Sequence, residues 1–149
     1  MTIKEQLYTA CRDFLMDKIQ SVEASLQEIQ EAAGQETKSS AGDKYETARE
    51  MMQQERNKWE ARLALLKSQL QELNYLERQT TGSTVQPGSI IETDKGYFLL
   101  GPAIGKVENA PVKLMCISPG APLGQALLHK KAGAPITLNG NTYHLISLY

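Results

Sequence analysis

The feature that most constrains this chain is a seam of apolar residues that recurs in alternating steps of four and three. In the first part of the sequence the seam consists of Leu15, Ile19, Val22, Leu26, Ile29 and Ala33. Tyr8 extends it backward by one heptad. This spacing is typical of a helix that buries one narrow stripe against another helix. The sequence therefore predicts the arm of a coiled coil.

A second arm repeats the pattern. Its seam residues are Tyr45, Met52, Trp59, Leu63, Leu66, Leu70 and Leu73, and Arg49 and Arg56 occupy the two remaining seam positions. The polar segment "GQETKSSAGD" (34–43) lies between the arms, and neither seam continues through it. Two such helices bury their stripes most simply against each other. We therefore expect an antiparallel hairpin over residues 1–79, with a second helix from about Asp43 to Arg78 that is on the order of 50 Å long.

The character of the chain changes after this hairpin. The segment "QTTGSTVQPGSII" (79–91) carries no charge and predicts a linker over 80–88 followed by a first strand. Residues 89–149 predict a small α+β domain, with about five short, mostly antiparallel strands and one helix. The helix is expected over 118–133, with Lys130 and Lys131 in its last turn. Asn139-Gly140 predicts the tight turn of the final hairpin.

Composition excludes several classes of function. The 149 residues are 41% hydrophobic and 22% charged with a net charge of −1, so nothing favours independent binding to nucleic acid. No run approaches the roughly 18 apolar residues of a membrane span, and the start does not resemble a signal peptide. We therefore expect a cytoplasmic protein without membrane contact. Cys11 and Cys116 are predicted to be reduced, packed thiols, because their isolated positions favour neither a disulfide nor a zinc site.

Asp43 and Glu46 at the hairpin apex allow two interpretations. Spaced three apart, the two carboxylates share one face of a helix. Asp-x-x-Glu is also the pattern of a helix cap, which favours a purely structural role. Ser40 offers an alternative cap, and this would leave Glu46 without a backbone partner. No other catalytic or metal-binding constellation is present, so these acids are the candidates for chemistry.

Two segments of the chain resemble bacterial Gre-type transcript-cleavage factors. "GDKYETARE" (42–50) is similar to their acidic-tip motif. "ISPGAPLGQALLHKKAGAPITL" (117–138) is similar to their C-terminal signature, a helix of the form Pro-Leu-Gly-x-Ala-Leu-Leu followed by a basic residue and Gly. The resemblance covers nearly the whole chain in the same order.

The resemblance implies separate roles for the coiled coil and the C-terminal domain. In this family a coiled coil with an acidic tip, here near 36–46, precedes a C-terminal domain of FKBP-like fold, which docks on RNA polymerase. The coiled coil enters the polymerase's secondary channel, and its tip acids help to hold a magnesium ion there while backtracked RNA is cut. Asp43 and Glu46 match these acids. The resemblance thus implies no intrinsic cofactor and no enzyme activity of the protein's own, but a magnesium ion shared with the polymerase near the 3′ end of the nascent RNA.

Three nearby cations are candidate contacts with the RNA or the channel wall: Lys44, Arg49 and Arg56. The alternative is that they are solvated helix charges, with pairing such as Glu46 to Arg49. Lys44 stands where the family usually has Leu, and Thr47 where it has Asn. These departures leave open a channel regulator without cleavage activity.

A third possibility is an interaction module whose hairpin pairs with a second helix pair and buries Trp59 between chains. A peptidyl-prolyl isomerase interpretation of the sheet domain has less support, because the aromatic residues able to line such a pocket are few: Tyr97, Phe98, Tyr143 and Tyr149.

Overall fold

The computed structural model of the protein describes the backbone of residues 1–39 and 43–149, and the side chains of 1–34 and 46–149. Within these ranges the helices are α1 (Ile3–Ser39), α2 (Asp43–Glu77) and α3 (Pro122–Leu127). The strands are β1 (Ile90–Thr93), β2 (Gly96–Leu100), β3 (Gly105–Lys106), β4 (Leu114–Ile117), β5 (Pro135–Leu138) and β6 (Asn141–Leu148). This order confirms the predicted α+β fold, a helical hairpin followed by an antiparallel-rich sheet with one helix.

The two long helices pack side by side in opposite directions. Val22 of α1 lies beside Trp59 of α2, whereas Ile29, further along α1, lies beside Met52, which comes earlier in α2. Burial follows the predicted seam: Leu15, Ile19 and Val22 are buried, and Leu26, Ile29 and Ala33 are half-buried. The predicted coiled-coil seam is therefore confirmed.

Helix α1 is longer than the sequence predicts. The expected interruption begins at Gly34, yet the backbone stays helical through Ser39. Gln35, Glu36 and Lys38 are good helix formers, and one glycine costs only about 1 kcal/mol in a helix. The prediction of a turn was wrong over 34–39. Residues 40–42 and the cap formed by Ser40 lie outside the described residues.

A capping box begins α1. The hydroxyl of Thr2 accepts a hydrogen bond from the Glu5 amide at 3.2 Å, and the Glu5 carboxylate accepts one from the Thr2 amide at 3.0 Å. Each side chain thus satisfies a backbone donor that the first helical turn leaves unpaired. The Thr-x-x-Glu pattern of residues 2–5 therefore marks the start of α1.

The described residues form a six-stranded sheet in the order β3-β4-β2-β1-β6-β5. The β5–β6 hairpin turns at Asn139 and Gly140, whose φ values are 50° and 80°. These left-handed values fit a type I′ turn, so the predicted hairpin is confirmed. The sequence did not predict β3 or the parallel pairing of β2 with β4.

The sheet has a packed core on each face. One core contains Ile91, Phe98 and Leu100 from the sheet and Leu127 from α3. Residues of opposite parity on β2 and β4, such as Leu99 and Cys116, point the other way. There they meet the first turns of α1 and the end of α2, whose buried residues include Leu7, Tyr8, Cys11, Leu73 and Leu76. The sheet is therefore covered on both sides.

Helix α3 is shorter than predicted. It ends at Leu127, and Leu128 already has extended backbone angles of −56° and 132°. The amide of His129 then donates to the carbonyl of Val85, and the carbonyl of Lys130 accepts from the Val85 amide. This pairing with a distant segment replaces further helix, so the placement of Lys130 and Lys131 in the last helical turn was wrong.

By its internal packing the chain divides into two compact units. One contains 1–14 and 69–149, and the other contains 15–68. The predicted boundaries at 1–79, 80–88 and 89–149 follow secondary structure instead and stay a prediction, as does the likeness of the C-terminal domain to FKBP. Among the described residues, no helix is long and apolar enough to cross a membrane.

Candidate functional site

The first turns of α2 carry the candidate acidic site. Helix α2 begins at Asp43, and Glu46 one turn later is exposed. Glu46, Arg49, Glu50 and Gln53 line an open surface depression of about 370 Å³. Their spacing of three and four places them on one helix face. The Glu46 side chain is exposed, so its carboxylate is accessible to a partner molecule.

The predicted roles of Asp43 and Lys44 fall partly outside the described residues, because only the backbone is described there. Whether Asp43 caps α2 or faces outward therefore stays a prediction. Among the described side chains, no group of three His, Cys, Asp or Glu residues could hold a metal ion. Magnesium is commonly held by one or two carboxylates together with other oxygen ligands, so Asp43 and Glu46 could supply only part of a site.

Arg49 and Arg56 are both exposed on α2. Arg56 pairs with Glu60 at 3.1 Å, an i,i+4 contact in which both side chains remain about half exposed. Exposed pairs of this kind contribute roughly 0.3–0.5 kcal/mol, which leaves Arg56 free to exchange partners. The expected pairing of Glu46 with Arg49 is absent from the ion pairs of the described residues. Arg49 instead borders two depressions, one with Glu46 and one with Ile29 and Met52.

A cationic surface that the sequence did not predict lies in the middle of the hairpin, apart from Arg49 and Arg56. Lys18 of α1 and Lys58 and Arg62 of α2 surround Trp59 and Val22 at a depression of about 520 Å³. Trp59 is half-buried, and its indole NH donates to Glu55 at 3.0 Å. Lys58 and Arg62 are one helical turn apart, but their meeting with Lys18 depends on the register between the helices. The seam alone does not fix that register.

The sheet domain has its own open basin of about 340 Å³. Phe98 and Tyr143 form its aromatic part, with ring centroids 5.9 Å apart and planes at 75°. Lys95 lies 4.9 Å from the centre of the Tyr143 ring, and Lys106 and Lys113 also line the basin. Tyr97 lines it as well, whereas Tyr149 donates a hydrogen bond to Glu92. Of the four aromatic residues proposed for an isomerase pocket, three therefore share one cavity.

The residues of the C-terminal signature form a tight turn into α3. The Ser118 hydroxyl accepts a hydrogen bond from the Ala121 amide at 3.1 Å, and Pro122 occupies the first helical turn. Gly124 is buried, and a β-carbon added there would lie 2.0 Å from the carbonyl oxygen of Ser118. The signature therefore has a structural explanation in this chain.

Comparison with known proteins finds matches among solved structures. No family model matches the sequence, and no curated protein matches it. The crystal structure of GreA factor homolog 1 (Gfh1) of Thermus thermophilus is 22% identical, with a TM-score of 0.35 over 93% of this chain and 94% of that chain. A structure of the transcription factor Gfh1 is also 22% identical, with a TM-score of 0.37 over 93% and 92%. The chain is thus similar to a GreA factor homolog, and this likeness concerns the fold.

Proposed function

We propose that this protein is a transcription elongation factor that binds RNA polymerase, inserts its helical hairpin into the secondary channel and stimulates cleavage of backtracked RNA. The observation that carries the proposal is the exposed carboxylate of Glu46, one turn into a helix that begins at Asp43. The resemblance of residues 42–50 and 117–138 to the two Gre motifs supports it.

The two helices of the hairpin are long. Helix α1 has 37 residues and α2 has 35, and at 1.5 Å per residue each is about 50 Å long. The depressions described on this hairpin are open to the surface. An arm of this kind is suited to carry side chains into a cleft of another molecule.

The acids would act in a metal site that belongs to the polymerase. Asp43 and Glu46 offer oxygen ligands, which magnesium prefers, and Glu46 is open to solvent. When bound, the ion supplies activation of water and neutralisation of charge during phosphodiester cleavage. The contribution of this chain would be to supply carboxylate ligands to the ion from the start of α2. The protein would thus stimulate the polymerase's own activity.

The cations near the acids have a supporting role in this proposal. Arg49 shares the depression of Glu46, and Arg56 lies two turns further along α2. Both guanidinium groups are exposed, and guanidinium binds phosphate oxygens in a bidentate manner. They are proposed contacts for the RNA or for the channel wall, with Lys44 as a third.

The test uses backtracked elongation complexes of the cognate RNA polymerase with magnesium. RNA shortening is compared for the wild type, Asp43→Asn and Glu46→Gln, with polymerase binding measured in parallel. Glu72→Gln is the matched control, because Glu72 is also exposed on α2 but lies near its other end. We expect cleavage by the wild type and the control, and at least about a 100-fold loss in each tip variant, since removing one charge-stabilising group commonly costs this much.

The remaining outcomes separate the alternatives. If all four proteins bind polymerase and none stimulates cleavage, the protein is a channel regulator and the acids belong to the helix start. If none binds, the interaction module gains support, and sedimentation would then reveal a concentration-dependent dimer.

A further inference from the structure

The fold brings together the chain's two cysteines. The sulfur atoms of Cys11 and Cys116 are 3.2 Å apart. Cys11 belongs to the first turns of α1 and Cys116 to β4, at positions 105 residues apart in sequence. Both thiols are free and buried. The predicted packed thiols are thus confirmed, and their contact with each other depends on the fold, because no local pattern in the sequence indicates it.

We propose that Cys11 and Cys116 are an oxidisable thiol pair, which a small disulfide or a peroxide converts into an intramolecular disulfide that joins α1 to β4. A disulfide bond is about 2.05 Å long, so the sulfur atoms need to approach by only about 1 Å. Both cysteines lie within the compact unit formed by 1–14 and 69–149. The proposal is independent of any role in transcription.

The chemistry balances with either oxidant. With a small disulfide, the thiolate of one cysteine attacks a sulfur atom and releases one small thiol, and the second cysteine then displaces the other. The protein loses two protons and two electrons, and the small disulfide is reduced to two thiols. With a peroxide, one thiol becomes a sulfenic acid with release of water or an alcohol, and the second thiol condenses with it and releases water.

Access to the pair requires a local opening. Cys116 pairs with Gly105 of β3, an edge strand of only two residues. The loop between β3 and β4 is tied to α1 by Asn109, whose amide donates to the carbonyl of Ala10 at 3.0 Å. Short edge elements of this kind open more easily than the core of a domain. Separation of β3 from β4 is therefore the simplest route by which a small oxidant reaches the sulfur atoms.

Burial of the thiols should make their oxidation slow, and their proximity should make it selective for the internal disulfide. The hydrogen bond with Cys11 and burial raise the pKa of Cys116, so in the closed structure Cys116 is a thiol and not the reactive thiolate. Once one sulfur atom has reacted, its neighbour is already in place. Formation of an internal disulfide should therefore outcompete stable mixed disulfides with the small thiol.

The first experiment treats the reduced full-length protein with oxidised glutathione in native buffer, and in parallel with hydrogen peroxide. Free thiols are counted in denaturant, the intact mass is measured, and a non-reducing peptide map locates the bond. We expect both thiols to disappear with a mass loss of two hydrogen atoms, in a monomer, and to return on reduction. Cys11→Ala and Cys116→Ala are the controls, and they should instead give mixed disulfides or cross-linked dimers.

Thermal melting provides a second, independent measurement on the wild-type protein. The disulfide closes a loop of more than 100 residues, and such long loops gain the most in the unfolded-chain model. We expect the oxidised form to melt roughly 10 °C above the reduced form, with the difference abolished by a reducing agent. Thiols that stay free after prolonged oxidation, mixed disulfides as the end product, or a lower melting temperature after oxidation would each overturn the proposal.

Discussion

A buried hydrogen bond from Tyr8 connects α1 to the segment that precedes β1. The Tyr8 side chain is completely buried, and its hydroxyl donates to the carbonyl of Gly88 at 2.6 Å. Tyr8→Phe removes the donor and leaves a buried acceptor unpaired, which should lower the free energy of unfolding by about 1–2 kcal/mol. Urea denaturation measures this loss. Tyr75→Phe is the control, because Tyr75 is 55% exposed and its variant should be as stable as the wild type.

The same residue should make stability depend on alkaline pH. Burial, with smaller contributions from Cys11 and Glu77, raises the pKa of Tyr8 above its ordinary value near 10. A group whose pKa is higher in the folded state contributes stability that is present below its unfolded pKa and lost as pH rises above it. Melting temperatures measured from pH 8 to 11.5 should therefore fall more steeply for the wild type than for Tyr8→Phe above about pH 10. Parallel curves would show that Tyr8 ionises equally in both states.

The close packing around Gly124 in α3 explains why the C-terminal signature has a glycine at this position. An added β-carbon would lie 2.0 Å from the Ser118 carbonyl oxygen, and that oxygen belongs to the turn that starts α3. Alanine normally stabilises a helix relative to glycine. Here we expect the opposite sign, with Gly124→Ala lowering the free energy of unfolding by about 3 kcal/mol or more.

Gly120→Ala is the matched control for this prediction. Gly120 lies in the same turn, but no atom lies within 4 Å of the β-carbon that it would gain. Its effect should remain within about 0.5 kcal/mol. Equal stability of the two variants in urea denaturation would mean that the turn yields and that sterics do not account for the glycine.

Some helices and strands can be predicted from the sequence and others cannot. The predictable ones depend on local patterns, and the others depend on contacts between segments that are distant in sequence. The seam that includes Leu15, Ile19 and Val22 is local in its periodicity, so α1, α2 and their antiparallel packing followed from it. The end of α3 did not, because the Val85 segment competes for the backbone of His129 and Lys130. The parallel β2–β4 pair and the two-residue strand β3 likewise depend on contacts that no local pattern records.

The candidate site divides in a similar way. Acidic residues at the start of α2 were predicted, and the structure shows Glu46 exposed there. The cationic cluster around Trp59 and the contact between Cys11 and Cys116 were missed, since each needs the three-dimensional register of two distant segments. Pairs of residues that are unremarkable along the chain become chemically meaningful only when the fold places them together.

At the scale of the whole molecule, the two compact units differ in how completely they bury their apolar residues. In the unit of 15–68 the seam residues Leu15, Ile19 and Val22 are buried, but Leu26, Ile29 and Met52 are only half-buried. In the other unit Leu99 and Leu114 are buried, since the sheet is covered on both faces. Local unfolding free energies follow such differences in burial.

Amide hydrogen exchange should therefore proceed in two stages. We expect the amides of Leu26 and Ile29 to exchange at least about ten times faster than those of Leu99 and Leu114, a difference of about 1.4 kcal/mol in opening free energy. The amide of Leu15 provides an internal reference, because it belongs to the same helix as Leu26 but its side chain is completely buried. Exchange measured by mass spectrometry at several pH values distinguishes the stages. Uniform protection of all these amides would mean that the arm and the sheet domain unfold as one cooperative unit, and that burial within each unit does not set its stability.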